Sequence, residues 1–264
     1  MVAGLSFLAT AVATLFAEAT FARWRRKRSP HEAAWTVALA LFALASAALA
    51  TGTSTGWDRG TFRVFYLFGA VLNVPWLGLG TVFLLLGERT GRRVRAALLF
   101  FSGLATGVLL TAPIHGDVTG SVIPVGKEVF GVFPRVLAAV GSGLGALVVF
   151  AGAAWSAVRF ARAAWAGAGS ASRADRPAPG RPGRTGVSPG IMAGANSLIA
   201  AGTLVLSGGG LLQGVVGHDE AFAISLATGI TVIYAGFLVA SRQRRPASAQ
   251  PTRSVAVTPV HTPF

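Results

Sequence analysis

The sequence predicts an all-α integral membrane protein, a bundle of seven transmembrane helices with the N-terminus outside the cytoplasm and the C-terminus inside. Hydrophobic residues make up 53% of the 264 residues, charged residues only 12%, and the mean hydropathy is +0.62. A soluble fold of this length cannot bury so much apolar surface. The charges are also clustered between long apolar runs, which is the pattern expected of a chain that crosses hydrocarbon repeatedly.

Seven apolar runs of spanning length follow one another along the chain. They lie near residues 2–22, 33–51, 62–87, 96–114, 131–158, 191–213 and 221–240. Each contains about 18 residues or more, which at about 1.5 Å per residue crosses a hydrocarbon core of roughly 30 Å. Strands of a membrane barrel would instead alternate with period two over about ten residues. The runs therefore predict helices.

The basic residues predict the orientation of these helices. Nothing basic precedes the first run, and the cluster from Arg23 to Arg28 follows it, so we expect an uncleaved anchor inserted with its N-terminus out. Alternating from that cluster places nineteen Lys and Arg residues on the cytoplasmic side and four on the outer side. The four outer residues are Arg59, Arg63, Lys127 and Arg135. Adding or removing one span would destroy this bias, so it supports both the count and the orientation.

The chain divides into four segments. Residues 1–166 hold the first five helices and residues 191–240 hold the last two. Between them, residues 167–190 are rich in Gly, Pro, Ser and Arg without apolar periodicity, which predicts a disordered basic cytoplasmic linker, and residues 241–264 predict a similar tail. The cytoplasmic arginines either bind anionic lipid headgroups, at about 1 kcal/mol each, or only enforce the topology.

Composition also bounds the partners and the location. A net charge of +14 would suit nucleic acid, but the basic residues sit at the ends of apolar runs, so no nucleic-acid partner is predicted. The absence of cysteine excludes disulfides and thiolate chemistry. Abundant Ala, Gly, Val and Arg with two lysines suggest a GC-rich genome, and hence a bacterial plasma membrane. A second membrane protein or another copy of the chain remains an open partner.

The third run contains the most unusual polar residue. Asn73 lies ten residues beyond Arg63, about 15 Å deeper and near the bilayer midplane. Pro75 has no N–H group and so frees the carbonyl of Val71 close to the Asn73 side chain. Interrupted helices at this depth form binding sites in transporters. The candidate substrate-binding residues are Asn73, Pro75, Trp76, Arg63, Ser142 and Ser207. The alternative is a kink whose Asn73 bonds a neighbouring helix while Trp76 packs.

Acidic residues and histidines collect in the predicted outer loops. His115, Asp117, His218, Asp219 and Glu220 form a candidate metal site, and the two imidazoles are also candidate axial ligands of a haem. Their spacing matches no metal motif, and acidic outer loops also arise simply because basic residues are kept inside. No cofactor is specifically predicted. Glu18, near the cytoplasmic interface, is expected to extend to water or to pair with Arg23.

Three functions remain open on this basis. The first is a transporter of a small solute or a lipid, or a subunit of one, with a midplane site near Asn73 and Pro75. The second is a non-catalytic sensory or assembly component of a membrane complex. The third is a metal- or haem-binding membrane protein. The sequence has no Walker, Gly-x-Ser-x-Gly or kinase motif, so no enzymatic activity is predicted.

Overall fold

A computed structural model describes residues 1–171, 189–216 and 218–242, and these are almost entirely helical. The helices are α1 (Val2–Lys27), α2 (Pro30–Thr55), α3 (Arg59–Phe65), α4 (Asn73–Thr111), α5 (Gly126–Val129), α6 (Val132–Ala171), α7 (Pro189–Val216) and α8 (Asp219–Arg242). A π-helical segment, Tyr66–Leu72, joins α3 to α4. Within the described residues there is no strand, only an isolated bridge between Ile114 and Phe130. The prediction of an all-α protein is confirmed.

Within the part of the chain that the structure describes, five helical segments are long and apolar enough to cross a membrane, so the prediction of a multi-pass membrane protein is supported. They are Val2–Lys27, Pro30–Thr55, Arg59–Thr111, Val132–Arg159 and Asp219–Ser241. The third is 53 residues long, more than twice the length that one span needs. The seven-span count and the N-out orientation go beyond this finding and stay predictions.

Gly87 divides that 53-residue segment into two arms. Its φ of 81° and ψ of 177° are not helical, and its positive φ is one that side-chain-bearing residues rarely adopt. Beyond Gly87 the chain folds back, because Leu79 and Leu98 lie in one buried cluster and the Trp76 indole contacts Ser102. We call residues 73–86 the first arm of α4 and residues 88–111 its second arm.

The predicted linker and tail lie largely outside the described residues. Helix α6 continues to Ala171 and α7 begins at Pro189, so residues 172–188 of the linker are not described. Helix α8 ends at Arg242, and residues 243–264 of the tail are likewise not described.

Apolar packing holds the two ends of the bundle. The outer end, named after the predicted orientation, contains a buried cluster around Phe62, and residues of the 112–131 loop complete it. This cluster comprises Leu49, Trp57, Phe62, Ala112, Val118, Ile123, Val129, Phe130 and Phe222. Toward the opposite, inner end, a second cluster joins α1, α2 and α8 through Phe16, Leu39, Phe42, Ile233 and Phe237, among others.

Candidate functional site

The third predicted span is interrupted at the level where the sequence places Asn73. The π-helical turns of Tyr66–Leu72 end with the amide of Asn73 donating to the carbonyl of Phe68, five residues earlier. Pro75 follows two residues later and has no N–H to donate. A π-helical insertion and a proline so close together leave backbone carbonyls without their usual helical donors. Such insertions occur frequently at functional sites.

Helix α6 meets this interruption with small residues. The Ser142 hydroxyl donates to the Ala70 carbonyl at 2.5 Å, which satisfies one acceptor left by the π-helical turns. A Cβ atom on Gly141 would lie 2.7 Å from the Val71 carbonyl oxygen, and one on Gly145 would lie 2.7 Å from the Pro75 nitrogen. The two glycines therefore allow direct backbone contact between α6 and the interruption.

Asn73 itself is enclosed by the bundle. Its side chain is 7% exposed, and its Oδ1 atom has no hydrogen-bond partner within the described structure. A buried acceptor without a partner costs about 1–3 kcal/mol, so an oxygen such as Asn73 Oδ1 is unusual in a folded protein. The alternative prediction, in which Asn73 bonds a neighbouring helix, is not supported for this oxygen.

A groove opens beside the interruption, between the two arms of α4 and α6. Its volume is about 250 Å³, and it is partly open, with Val140 and Leu144 in the middle of α6 exposed on its wall. Its lining is almost entirely apolar: Pro75, Gly78, Leu79, Val82, Val94, Ala97, Leu98, Phe101, Val140, Gly141, Leu144, Gly145 and Val148. One predicted site residue, Pro75, therefore lies on the wall of this groove, and so does Gly141, the neighbour of Ser142.

The other predicted substrate-binding residues are distributed along the bundle. The Trp76 indole N–H donates to the Ser102 hydroxyl at 3.3 Å and so joins the two arms of α4. The Arg63 guanidinium donates to the Ala112 carbonyl at 2.7 Å, which ties α3 to the end of α4. Ser207 lies half-buried on α7. The structure thus gathers Asn73, Pro75 and Ser142 at one level and places Arg63 at the outer end.

The predicted outer metal ligands are not gathered into a cluster. His115, Asp117, His218 and Glu220 are exposed, and the Asp219 carboxylate accepts from the Ile123 amide at 2.9 Å. Among the described residues, no set of three His, Asp or Glu side chains is placed to hold a metal ion. The metal or haem site stays a prediction without structural support.

A buried ion pair at the inner end is the polar site that sequence analysis missed. The Arg23 guanidinium lies 2.6 Å from the Glu32 carboxylate, and Glu32 is 0% exposed. Arg23 also donates to the Ser241 hydroxyl at 2.6 Å and lies 4.7 Å from the centre of the Phe237 ring. Of the two expectations for Glu18, extension to water agrees with its exposed side chain, whereas Arg23 pairs with Glu32 instead.

Hydroxyl groups and an imidazole surround this pair. The Thr36 hydroxyl donates to the Thr20 hydroxyl at 3.1 Å, which links α2 to α1 beside Glu32. His31 Nε2 lies 3.8 Å from Glu32 Oε1. The available sequence signal was helical spacing, because Glu32 precedes the buried Leu39 by seven residues and so shares its face of α2. The predicted second span begins at residue 33 and so places Glu32 in a loop, whereas α2 begins at Pro30.

Comparison with known proteins identifies no relative. No family model matches the chain, and neither the curated proteins nor the solved structures give a match. The function must therefore be inferred from the geometry of the groove and of the buried ion pair.

Proposed function

We propose that the protein is a seven-pass plasma-membrane protein that binds an anionic phospholipid in the groove between α4 and α6, as a lipid transporter or a subunit of one. The observation that carries this proposal is the side-open apolar groove next to the interrupted third span. The predicted N-out topology places the Arg-rich end of the groove at the cytoplasmic leaflet.

The lining of the groove favours an acyl chain over a polar solute. A sugar, amino acid or ion needs several convergent hydrogen-bond donors or acceptors, and ligand sites normally provide a few. This lining instead consists of aliphatic and aromatic side chains, glycines and a proline. Because it opens sideways, a lipid tail can enter it from the bilayer without passing through water.

The arginines at one end of the groove favour an anionic headgroup. Val94 lines the groove, and Arg93 and Arg95 flank it on the second arm of α4, both exposed. On a helix these two side chains project about 100° to either side of Val94, so both can reach a phosphate above a lipid lying there. Guanidinium groups bind phosphate oxygens with charge-assisted hydrogen bonds.

The interruption supports transport in addition to binding. Segments that move in proteins are those whose backbone bonds are weakest, and π-helical turns followed by proline weaken the first arm of α4 at its start. At Gly141 and Gly145, helix α6 contacts the interruption through backbone atoms, without a side chain. The first arm can therefore change its bend without displacing large side chains of α6, which would widen or close the groove.

Filling the groove tests lipid binding. Leu144 lines the groove and is 62% exposed, whereas Leu147, also 62% exposed on α6, does not line it. We expect Leu144→Trp, but not the matched control Leu147→Trp, to lose bound phospholipid in native mass spectrometry of protein extracted from vesicles with defined anionic and zwitterionic lipids. Equal lipid retention by both variants would contradict the proposal.

Removing the headgroup contacts tests the lipid class. The double variant with Arg93→Gln and Arg95→Gln should abolish the preference for anionic over zwitterionic phospholipid, while Arg59→Gln at the outer end should preserve it.

Transport is measured separately, as movement of a labelled anionic phospholipid between leaflets of proteoliposomes. Binding without movement would refute transport by the chain alone and leave a lipid-binding component.

A further inference from the structure

We propose that Glu32 is a proton-binding site reached from the cytoplasm past His31, and that protonation of Glu32 releases Arg23 and with it the inner end of α8. The site lies on α1, α2 and α8, away from the groove on α4 and α6. It therefore does not depend on the proposed lipid binding.

The ionised form of Glu32 depends on its surroundings. A carboxylate that is 0% exposed has lost its hydration, and only a close cation and favourable dipoles hold its charge. Arg23 supplies the cation at 2.6 Å. Glu32 also lies in the first turn of α2, where the helix dipole favours a negative charge.

His31 connects the buried carboxylate to water. Its side chain is 22% exposed, its Nε2 atom lies 3.8 Å from Glu32 Oε1, and its ring packs edge-on against Trp35. Imidazole exchanges protons near neutral pH, so it suits a group that passes protons between the cytoplasm and a buried acid. A proton moves from solvent to His31 and then to a Glu32 oxygen, and the imidazole returns to its neutral form.

Arg23 transmits the change to α8. The ionisable groups against the Glu32 carboxylate include Arg23 from α1 and His31 from α2, while α8 contributes the Ser241 hydroxyl and the Phe237 ring through Arg23. Once Glu32 is neutral, Arg23 is a cation without its counter-ion. Its long stem lets the guanidinium turn to the interface, where it is hydrated, and the contacts with Ser241 and Phe237 are lost.

Proton binding is measured directly by pH-difference infrared spectroscopy of the full chain in proteoliposomes. We expect a carboxylic-acid carbonyl band that grows on acidification and disappears in Glu32→Gln. The band should persist in the control Glu18→Gln, because Glu18 is exposed at the same end of the bundle. His31→Gln should retain the band but slow its appearance after a pH jump. A band unaffected by Glu32→Gln, or an unchanged rate in His31→Gln, would overturn the corresponding part of the proposal.

The movement of α8 is measured by spin-label distances. The chain has no cysteine, so labels at Arg26→Cys on α1 and Leu238→Cys on α8 have no background. We expect the distance distribution to shift to longer values on acidification, and Glu32→Gln to show the long distances at every pH. If Glu32→Gln does not fold, the pH response of the labelled wild-type chain still decides, because a pH-independent distance refutes the release of α8.

Discussion

The outer end of the bundle is held by aromatic packing, whereas the inner end adds a buried ion pair to its apolar cluster. At the outer end, Phe62 is fully buried and its ring lies 5.5 Å from that of Phe130 and 5.9 Å from that of Trp57. At the inner end, Arg23 links α1 to Glu32 of α2 and to Ser241 of α8. Helices α2 and α8 are therefore held by non-directional packing at the outer end, and by packing together with a directional, charged contact at the inner end.

This difference assigns different sensitivities to the two ends. Aromatic packing responds to changes in side-chain volume and is indifferent to protonation. A buried ion pair fails when either partner loses its charge, because the other is then left desolvated. A protein built in this way can loosen one end in response to pH while the other end stays closed.

The largest expected effect is at the inner end. Glu32→Ala should lower the free energy of unfolding by about 3–5 kcal/mol at neutral pH, because it leaves Arg23 without its counter-ion. Titration with sodium dodecyl sulfate in mixed micelles, followed by circular dichroism, measures this quantity. The single variants Arg23→Met and Glu32→Leu are measured beside the double variant Arg23→Met with Glu32→Leu, which should recover most of the loss. A loss in the double variant equal to the sum of those two single losses would show that the pair is not coupled.

Truncation at the outer end should cost slightly less. Phe62→Ala removes a fully buried ring and should lower the free energy of unfolding by about 3 kcal/mol in the same titration. The loss should be equal at about pH 5 and pH 8, since no ionisable group is removed. A pH-dependent loss would mean that the two ends are not independent and would break the contrast between them.

The interruption near Asn73 and the Arg23–Glu32 ion pair differ in how far the sequence could predict them. The interrupted level in the third span was predictable, because Asn73 and Pro75 are conspicuous within an apolar run. The π-helical turns before them were not, since no residue type marks an inserted backbone residue. Glu32 was missed because a carboxylate at a helix start normally faces water, and its burial depends on Arg23, nine residues earlier across a turn. Tertiary pairing of this kind is not encoded in local periodicity.

A smaller effect is expected between the two ends, at the contact of α6 with the interruption. Gly145→Ala places a methyl group 2.7 Å from the Pro75 nitrogen and should lower the free energy of unfolding by about 2 kcal/mol. Gly143→Ala is the matched control, because no atom of a neighbouring helix lies within 4 Å of its added Cβ among the described residues. The control should be neutral or slightly stabilising. Equal destabilisation by both variants would show that α6 does not touch the interruption.

The smallest effect is expected at Asp58, the N-cap of α3. Hydrogen bonds from the Thr61 hydroxyl and from the Thr61 and Gly60 amides hold the pKa of Asp58 below its ordinary value of 3.8. Its cap is therefore complete above pH 3.8 and is lost as the pH falls through the lower folded value. Asp58→Asn should remove this acid sensitivity of helix content, measured by circular dichroism, while Asp117→Asn should not. A wild-type chain whose helix content already falls at neutral pH would contradict this assignment of the cap to the ionised Asp58.

The sideways opening of the groove has a consequence for how its occupancy is set. The 112–131 loop contributes Val118, Ile123 and Phe130 to the packing of the outer end, whereas Leu144, on the wall of the groove, is exposed in the middle of a predicted span. For a ligand arriving by that route, the quantity that governs saturation is its mole fraction among the lipids, not its molarity in the surrounding buffer. Diluting the vesicles would leave the site equally filled, and only a change in membrane composition would empty it.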